Sequence, residues 1–396
     1  MPALGELLAR LDSDPNRRGK QFEYICQWFL ENDPTYRPLL RRVWMWGDWP
    51  GRWSDTEAGI DLVAEDNDGK LWAIQAKAYS PSHSISKRDV DKFVAESSRS
   101  KFTHRLLIAT TDKRHHIAEH LMDDLGIPFI GLTQLHEADD HLDWPSTPAA
   151  LRPSPPPKVK KPWDYQRPAI NDVVKGFETA DRGQLIMACG TGKTLTAWFI
   201  TERLKAERTL VLVPSLSLLK QTMREWQTAN VKKPFAPLLV CSDETVGSLG
   251  EDAAISHTST LGVPVTTDPR EIAGFLRKRS GPRVVFSTYQ SSPQIAAAFE
   301  LGRVPEFDLV IADFSSRLHA VRHIRQDGEM RLCRTPRRYC SRHPMRVTEL
   351  GRVEGGGCTR ERWSTSSRPR TTRTIRRASR YSTPAPPRSI PVAIAG

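Results

Sequence analysis

The chain has 396 residues, a formal net charge of +12 and a hydrophobic fraction of 38%. Its length accommodates two or three domains that each bury a core, which excludes the small disulfide-stapled secreted scaffolds. The six cysteines show no zinc-type spacing, and no run of about 18 apolar residues occurs, so we expect a cytoplasmic protein with reduced thiols and no membrane segment.

The first predicted block, residues 1–143, mixes helical and strand-like patterns. Apolar residues recur at helical spacing near its start, and two short apolar runs flank Asp66-Asn67-Asp68-Gly69, a sequence typical of a hairpin turn. The predicted elements are a helix over 19–30, strands over 59–65 and 70–77, a helix over 90–97 and a strand over 105–110.

The predicted hairpin carries polar side chains that are suited to metal-assisted cleavage of phosphodiesters. Asp61 lies on the first strand, and Gln75 and Lys77 lie two residues apart on the second, so both point to one face. An acidic residue that holds Mg²⁺ beside a lysine that orients a water is the minimum set for this chemistry. The alternative is an ordinary α/β hairpin in which Lys77 is a solvated strand residue.

Gly59-Ile60-Asp61 followed by Gln75-Ala76-Lys77 resembles the PD-(D/E)xK nucleases, in particular their Mrr-like, type IV restriction branch, in which glutamine commonly replaces the second acid. The resemblance covers residues 17–111. It implies that Glu23 is the additional carboxylate of that branch and binds Mg²⁺ together with Asp61. Because an amide carries no charge, Gln75 weakens the metal affinity. A domain that binds DNA but cuts poorly therefore remains the alternative.

Tryptophans and arginines are interleaved between residues 41 and 53. Such a cluster can stack on bases and contact phosphates. At this density, however, tryptophans more often close the core of a small domain. We therefore predict a core role for Trp44, Trp46, Trp49 and Trp53.

Residues 144–162 form a predicted linker, because two proline-rich stretches there are followed by Lys158, Lys160 and Lys161. This composition favours an extended, polyproline-like segment. We place a domain boundary at this linker.

The second predicted block, residues 163–313, alternates short apolar runs with helical patterns. This alternation is typical of a parallel sheet covered by helices on both faces. The predicted strands are 184–187, 209–213, 238–241, 283–287 and 309–312.

The segment Met187-Ala188-Cys189-Gly190-Thr191-Gly192-Lys193-Thr194 follows the first of these strands and opens a helix. Gly190 and Gly192 let successive N–H groups point at one anion, and the helix that begins at Lys193 directs its positive end towards it. In such a loop Lys193 reaches the β- and γ-phosphates of ATP, and Thr194 binds Mg²⁺. Met187 replaces the glycine of the strict motif, and a glycine-rich turn without nucleotide is the alternative.

The loop resembles the form Met-Ala-Thr-Gly-Thr-Gly-Lys-Thr of superfamily 2 helicases, particularly the ATP-driven subunits of type I and type III restriction enzymes. Two further segments follow in order, since residues 210–215 are similar to motif Ia and residues 285–290 to the strand-end Thr-Tyr motif. In that family both segments lie on the groove that holds a DNA strand. Upstream, Tyr165 and Gln166 stand where an aromatic ring and an amide read adenine.

The resemblance departs at motif II. Residues 307–313 lead correctly into it, and the family pattern implies that Asp313 holds the magnesium. The family's next residue, a glutamate that activates the attacking water, is replaced by Phe314. The expected general base is therefore missing.

The composition changes at the same point. Residues 314–396 contain 19 arginines, no lysine and five acidic residues, so the preceding part carries a net charge of only −2. Leu, Ile, Val and Phe make up about 13% of residues 315–396, below the roughly 20% at which a charged segment is expected to be disordered. We interpret the change as a reading-frame shift near Asp313, which removes the second RecA-like domain and its arginine finger. A genuine basic tail that binds DNA is the alternative.

The sequence thus predicts an α/β protein in four parts. These are a PD-(D/E)xK nuclease-like domain (1–143), a Pro/Lys-rich linker (144–162), one RecA-like P-loop parallel-sheet domain (163–313) and a disordered basic tail (314–396).

Our leading hypothesis is a defence-type restriction enzyme in which ATP-driven movement along double-stranded DNA is joined to Mg²⁺-dependent cleavage. Other subunits of a restriction system are candidate partners. One alternative is a truncated product that binds ATP or DNA without turnover, and another is a non-nucleolytic DNA-binding module on a motor.

Overall fold

A computed structural model of the chain describes residues 3–54, 59–99, 101–150, 159–188, 190–229, 234–242, 257–279, 281–313 and 330–334. Close contacts divide the chain into two compact units. The first unit comprises Met1–Lys160 and Ser215–Val304, and the second comprises Lys161–Pro214 and Pro305–Gly396. Among the described residues, no helix has the length and apolar character that crossing a membrane requires.

The part of the chain before the linker alternates helices and strands. Its elements are α1 (Leu4–Leu8), α2 (Pro15–Asn32), β1 (Leu40–Met45), β2 (Leu62–Asp66), β3 (Leu71–Lys77), α3 (Lys87–Ser97), β4 (Phe102–Ala109), α4 (His116–Asp124), β5 (Phe129–Ile130) and α5 (Leu132–His136).

The part after the linker continues the alternation. Its elements are α6 (Gln166–Gly176), β6 (Arg182–Leu185), α7 (Lys193–Leu204), β7 (Arg208–Val213), α8 (Leu216–Ala229), β8 (Ala236–Val240), β9 (Val265–Thr266), α9 (Pro269–Arg277), β10 (Arg283–Thr288), α10 (Ser292–Glu300), β11 (Leu309–Asp313) and β12 (Met330–Arg334).

In the first unit, five strands form a mixed sheet in the order β1-β2-β3-β4-β5. The first three strands are antiparallel, and β3, β4 and β5 are parallel. The hairpin turn predicted at Asp66–Gly69 connects β2 to β3, with Gly69 at a φ of +78°. A left-handed residue at this point favours glycine, because glycine lacks the Cβ that makes the conformation costly. The same unit contains the parallel strands β10, β8 and β9.

Local sequence explains where the first helices begin. The carboxylate of Asp14 accepts hydrogen bonds from the N–H groups of Asn16 and Arg17, and Pro15 occupies the first turn of α2. Helix α3 begins with a reciprocal capping box, in which Ser86 and Asp89 each accept a hydrogen bond from the other's backbone N–H. Such caps satisfy N–H groups that have no partner within the helix.

The predicted core role of the tryptophans is confirmed. Trp46 and Trp49 are 0% and 4% exposed and pack with Phe102, and Trp44 and Trp53 pack against the same cluster while partly exposed. The rings of Trp46 and Trp53 meet edge to face, with centroids 4.6 Å apart. Aromatic pairs of this geometry add about 1 kcal/mol each beyond area burial.

The second unit contains strands in the order β6-β12-β11-β7. Strands β7 and β11 are parallel, whereas β12 is antiparallel to both of its neighbours, β6 and β11. The predicted α/β class with parallel strands is confirmed. The sequence had predicted no regular element after Asp313, yet the structure describes β12 there. The rest of that stretch, residues 314–329 and 335–396, lies outside the described residues.

Candidate nuclease and nucleotide sites

Asp61 lies directly before β2, and the backbone fixes it against β3. Its N–H donates to the carbonyl of Ile74 at 3.0 Å, and its carboxylate accepts a hydrogen bond of 2.8 Å from the N–H of Ala76. The side chain is only 8% exposed. The hairpin therefore brings Asp61 beside the strand segment that carries Gln75 and Lys77, as the sequence predicted.

Gln75 supplies an oxygen that lacks a hydrogen-bond donor. The side chain is 1% exposed, and its amide nitrogen donates to the carbonyl of Gly59 at 2.9 Å. That bond fixes the orientation of the amide, and its buried Oε1 has no hydrogen-bond partner. A buried carbonyl oxygen without a donor costs roughly 1–3 kcal/mol, whereas amide oxygens are ordinary ligands of hard divalent cations. The residue present at this position therefore fits a divalent metal ion.

Glu23 approaches the same region from α2. Its carboxylate is nearly buried and lies 2.8 Å from the ammonium of Lys20. Burial raises the pKa of the Cys26 thiol, and the charges of Glu23 and Asp61 raise it further. Glu23 and Asp61 thus both lie within electrostatic range of the Cys26 thiol.

Among the described residues, three or more His, Cys, Asp or Glu side chains nowhere gather into a group that could hold a metal ion. Beside Asp61, the uncharged oxygen of Gln75 is the candidate ligand on β3. The weaker metal affinity expected of such an amide stays a prediction.

Two residues near Lys77 were missed by the sequence argument. The hydroxyl of Tyr79 donates to the carboxylate of Asp89 at 2.7 Å, and the other oxygen of that carboxylate accepts from the N–H and hydroxyl of Ser86. Burial raises the pKa of Tyr79, and the bond to Asp89 and the charges of Asp89 and Asp61 raise it further. The period-two spacing of Gln75, Lys77 and Tyr79 is the signal that could have found the tyrosine.

Asp89 is held in its ionised form. Burial favours a higher pKa, but the hydrogen bonds from Ser86 and Tyr79 and the charge of Lys77 outweigh it, so the pKa of Asp89 is lowered. Tyr79 follows Lys77, the last residue of β3, by two positions, so its bond places Asp89 near that strand end.

The phosphate-type loop adopts the predicted strand–loop–helix form. Gly190 and Gly192 have φ values of +75° and +69°, and α7 begins at Lys193 as expected. The hydroxyl of Thr191 donates to the carbonyl of Ala188 at 2.6 Å. A Cβ at Gly192 would meet the amide nitrogen of Gln166 at 2.8 Å. Glycine is therefore required there by both conformation and space.

Lys193 and Thr194 occupy the first turn of α7, where the positive end of the helix dipole adds to the lysine charge. The Lys193 ammonium approaches the carbonyl of Ala188 at 3.5 Å, the long limit of a hydrogen bond. Such a weak contact is readily exchanged for a phosphate oxygen. Apart from its chain neighbours, no described residue has an atom within 4 Å of the position that a Cβ at Gly190 would take, and α7 begins with a lysine. The residues present therefore fit a nucleotide phosphate.

The structure places Tyr165 and Gln166 against this loop. The amide of Gln166 donates to the carbonyls of Thr191 and Gly192 at 3.1 and 3.2 Å, and the hydroxyl of Tyr165 donates to Thr191 at 3.2 Å. Gln166 is 3% exposed, whereas Tyr165 is 49% exposed. The pair therefore ties the start of α6 to the loop. Its reading of adenine stays a prediction.

Asp313 ends β11 at the same sheet edge as the loop. Met330 of β12 pairs with Asp313 on one side and with Leu185, at the end of β6, on the other. Since adjacent strands lie about 4.8 Å apart, the backbones of Asp313 and Leu185 are separated by about 10 Å. The loop begins just after Leu185. The structure thus brings the predicted magnesium carboxylate to the edge that carries the loop.

The strand-end motif near residue 288 is more enclosed than its predicted role in DNA contact requires. Ser287 and Thr288 are both 0% exposed. The hydroxyl of Ser287 donates to the carbonyl of Thr288 at 2.9 Å, and the hydroxyl of Thr288 donates to the hydroxyl of Ser291 at 3.2 Å. These two hydroxyls are internal in this structure, whereas Tyr289 is half-buried and Gln290 is exposed, so the segment's contact with DNA stays a prediction.

The fold and sites define a two-part α/β protein, with a polar hairpin in one part and a glycine-rich loop that opens a helix in the other. Residues 31–150 match the family model described as restriction endonuclease, of the Mrr catalytic type, and residues 160–326 match the family described as type III restriction enzyme, res subunit. The chain therefore contains an Mrr-type restriction endonuclease domain joined to a helicase domain of the type III restriction enzyme kind.

Known proteins are similar to this chain over part of their length. The chain is 31% identical over 183 residues to the probable helicase A859L of African swine fever virus (isolate Tick/Malawi/Lil 20-1/1983), covering 44% of this chain and 19% of that protein. The structure of the ATP-dependent Type ISP restriction-modification enzyme LlaBIII bound to DNA matches with a TM-score of 0.65 and 32% identity, over 78% of this chain and 20% of the other. The chain thus spans about a fifth of the length of these relatives.

Proposed function

We propose that the chain belongs to a restriction enzyme of defence type that moves along double-stranded DNA by hydrolysing ATP and cuts it with Mg²⁺. The observation that carries the motor assignment is the shared sheet edge, where the glycine-rich loop and Asp313 meet across β12. The match to a DNA-bound Type ISP enzyme supports duplex DNA as the partner. Attachment to other restriction-system subunits and a cytoplasmic location belong to the same proposal.

In this proposal the loop amides from Gly190 to Gly192 and the ammonium of Lys193 hold the triphosphate. The hydroxyl of Thr194 and the carboxylate of Asp313 would hold Mg²⁺, which neutralises charge on the β- and γ-phosphates when bound. Tyr165 and Gln166 keep the loop in place from the start of α6. The chain's own residues thereby supply the anion site, the cationic helix start and one acidic ligand.

At the nuclease site, Asp61, Glu23 and the Oε1 of Gln75 would hold Mg²⁺, and Lys77 would orient the attacking water. Bound Mg²⁺ would supply charge stabilisation at the scissile phosphate. The burial of Asp61 and Gln75 excludes water from competing positions and fixes the ligand geometry. The unsatisfied amide oxygen is the observation that favours a metal at this position over a purely structural hairpin.

A second candidate function is favoured by the residue after Asp313. Phe314 cannot act as the general base that the helicase pattern has at that position. A chain with the phosphate site and one acidic ligand but no such base would bind ATP or DNA without turnover. The proposed frame shift near Asp313 accounts for this loss. Sequencing the gene through that codon tests it, since an open alternate frame encoding Glu-Ala-His-Arg is expected.

The motor assignment is tested by ATP hydrolysis with and without duplex DNA. Hydrolysis stimulated by DNA and abolished in Lys193→Ala supports the first function, with the exposed Lys175→Ala on α6 as the matched control. Nucleotide binding that Lys193→Ala abolishes, without turnover in the unsubstituted chain, supports the second. If calorimetry detects no adenine nucleotide bound to the unsubstituted chain, the motor assignment fails, and so does ATP binding in the second function.

The nuclease assignment is tested by cleavage of plasmid DNA in the presence of Mg²⁺. Asp61→Ala and Lys77→Ala should each abolish cleavage, whereas the exposed Lys87→Ala on α3 should leave it unchanged. Cleavage that persists undiminished in the first two variants excludes the proposed site. If the unsubstituted chain binds the same DNA but never cuts it, the domain is a DNA-binding module instead.

A further inference from the structure

Within the first unit, the nuclease-like domain packs on the segment Ser215–Val304 of the helicase domain. We name this contact the docking surface. On the nuclease side it consists of residues after α2 and of residues in and after α5, and on the helicase side of α8 and the short 3₁₀ turn before β9 with the residue that follows it. Its members are Asp33, Thr35, Tyr36, Gln134, Glu137 and His141, facing Lys220, Arg224, Gln227, Thr260 and Gly262.

Three hydrogen bonds cross the docking surface from side chain to backbone. The hydroxyl of Tyr36 donates to the carbonyl of Gly262 at 2.7 Å. The amide of Gln134 donates to the carbonyl of Thr260 at 2.5 Å, and that of Gln227 donates to the carbonyl of Thr35 at 3.3 Å. Hydrogen bonds to backbone carbonyls fix both the separation and the relative alignment of the two sides, because a backbone acceptor cannot rotate away as a side chain can.

Gly262 itself is shaped by this contact. Its φ is +75°, and a Cβ there would lie 2.9 Å from the hydroxyl of Tyr36. Glycine therefore serves both the backbone conformation and the close approach of the tyrosine.

Charged side chains also pair across the docking surface. The partly exposed Glu137 forms ion pairs with both Arg224 and Lys220, the latter at 3.8 Å. On the nuclease side of the surface, Asp33 is 1% exposed and bonds to His141 at 2.9 Å. Burial favours a higher pKa for Asp33, but the bond to His141 and the charges of His141 and Arg224 lower it. Asp33 and Arg224 also line the same cavity.

Two elements of the nuclease site end beside the helicase segment. Asp33 is the C-terminal cap of α2, the helix that carries Glu23, and the carbonyl of Thr35, two residues later, accepts a hydrogen bond from Gln227. The turn between β2 and β3 is held by Lys70, which pairs with Glu271 of α9 at 3.2 Å, and by Asp68, which pairs with Lys278. The same hairpin carries Asp61 at its other end. The far ends of both elements therefore contact the helicase segment.

We propose that the docking surface fixes the nuclease-like domain to helices α8 and α9, so that the nuclease site and this half of the motor lobe move as one rigid body. The partner that this surface fits is the helicase segment of the same chain. The contribution of this docking to cleavage rests on the proposed function. In that function, a nuclease held in a fixed orientation to the moving lobe stays aligned with the DNA. The docking itself requires neither turnover nor cleavage.

The experiment is hydrogen exchange on the full chain, followed separately in peptides from 33–45 and from 216–229. Glu137→Arg gathers positive charge beside Lys220 and Arg224, and Arg224→Glu places two carboxylates together. Each variant should raise exchange at least tenfold in both peptides, although each changes only one side. The double variant, in which the charges are exchanged, should recover at least half of the protection. Asp91→Arg, on the exposed face of α3, is the control and should change neither peptide.

The docking proposal is overturned if the rise is confined to the peptide on the substituted side, or if the double variant is no better than the single ones. Tyr36→Phe provides a second measurement, since it removes only the bond to Gly262 and should raise exchange in peptide 257–266 without unfolding α2. An unchanged 257–266 peptide also contradicts the proposal. Because exchange is read without ATP or Mg²⁺, a chain that neither hydrolyses ATP nor cuts DNA can still show docking, and the two failures are distinguishable.

Discussion

At the residue scale, the hydrogen bond between Tyr79 and Asp89 joins two residues that flank the proposed nuclease site. Tyr79→Phe removes one donor from Asp89 and leaves the two from Ser86 in place. Hydrogen bonds to charged groups contribute about 1.5–3 kcal/mol when buried, and partial exposure here reduces the expected loss to about 1 kcal/mol. Urea unfolding at pH 7 measures that loss.

The pH dependence of this loss has a defined sign. The folded state lowers the pKa of Asp89 below its ordinary value of 3.8. Its stabilisation is therefore present above that value and is lost as the pH falls through the folded pKa. The difference between Tyr79→Phe and the unsubstituted chain should be constant near neutral pH and should shrink as the pH falls below 3.8 and the folded state takes up the proton of Asp89. A difference that stays constant after an NMR titration shows Asp89 protonated in the folded chain contradicts the assignment of the bond to an ionised Asp89.

Lys220 is a second residue whose charge affects stability. Burial lowers the pKa of its ammonium from 10.5 to about 8. The carboxylate of Glu137 at 3.8 Å does not offset this burial, and Arg224 is already paired with it. Because the pKa is lowered, protonated Lys220 destabilises the fold fully below pH 8, and the penalty disappears as the pH rises towards 10.5. Lys220→Met should therefore raise the free energy of unfolding at pH 7 by up to about 3 kcal/mol.

Thermal or urea unfolding at two pH values checks this expectation. The advantage of Lys220→Met should be largest at pH 7 and nearly absent at pH 10. Lys175→Met is a matched control, since Lys175 is exposed on α6. A Lys220→Met variant that is less stable than the unsubstituted chain at pH 7 shows that the ion pair with Glu137 outweighs the cost of burial.

At the element scale, the loop from Gly190 to Lys193 depends on one glycine in the left-handed region. Gly192→Ala forces a Cβ into a φ of +69° and against the amide of Gln166 at 2.8 Å. The strain costs about 1–2 kcal/mol. It can be relieved by moving the start of α7, so nucleotide affinity should fall at least tenfold.

Calorimetric titration with ADP and Mg²⁺ measures this change. Gly274→Ala within α9 is the control, because the added Cβ has no atom within 4 Å and glycine is costly inside a helix. That variant should bind nucleotide normally and gain up to about 1 kcal/mol of stability. Equal affinity in both variants contradicts the role given to Gly192.

Features that neighbouring residues determine could be predicted from the sequence. Contacts between residues far apart in the chain could not. The hairpin that brings Asp61 to Gln75 and Lys77 is set by one turn, and the loop before Lys193 is set by local glycines. By contrast, Tyr36 and Gly262 are 226 positions apart, and neither segment contains a sequence pattern that predicts their contact. Strand β12 was missed because its neighbours are rich in arginine, a composition that predicts disorder while carrying no information on pairing.

The same limit applies to the bonding of individual side chains. The sequence placed Gln166 at the adenine site, but it could not predict that its amide bonds to the loop carbonyls. It placed residues 285–290 on a DNA groove, but it could not predict that packing encloses the hydroxyls of Ser287 and Thr288. Residue type and position along the chain indicate which chemistry is available. The direction of each donor is decided by tertiary packing.

At the scale of the whole molecule, β12 determines whether the second unit is a continuous sheet. Among the described strand pairings, β12 is the only partner of β6 and one of the two partners of β11. Removing β12 therefore separates the strand that leads into the glycine-rich loop from the strand that ends at Asp313. A chain shortened to residues 1–313 should lose nucleotide binding although every loop residue is present, whereas a chain of residues 1–334 should retain it.

Thermal unfolding with saturating ADP and Mg²⁺ compares the two lengths directly. A ligand at 100 times its dissociation constant stabilises the fold by about 2.7 kcal/mol, which should appear as a raised melting temperature in residues 1–334. The shorter chain should show no ligand-dependent shift. Lys193→Ala in the longer chain serves as the control, because it removes the phosphate contact while leaving β12 in place. Equal shifts for both lengths would mean that β6 and β11 associate without β12, and that the Arg-rich stretch contributes nothing to the nucleotide site.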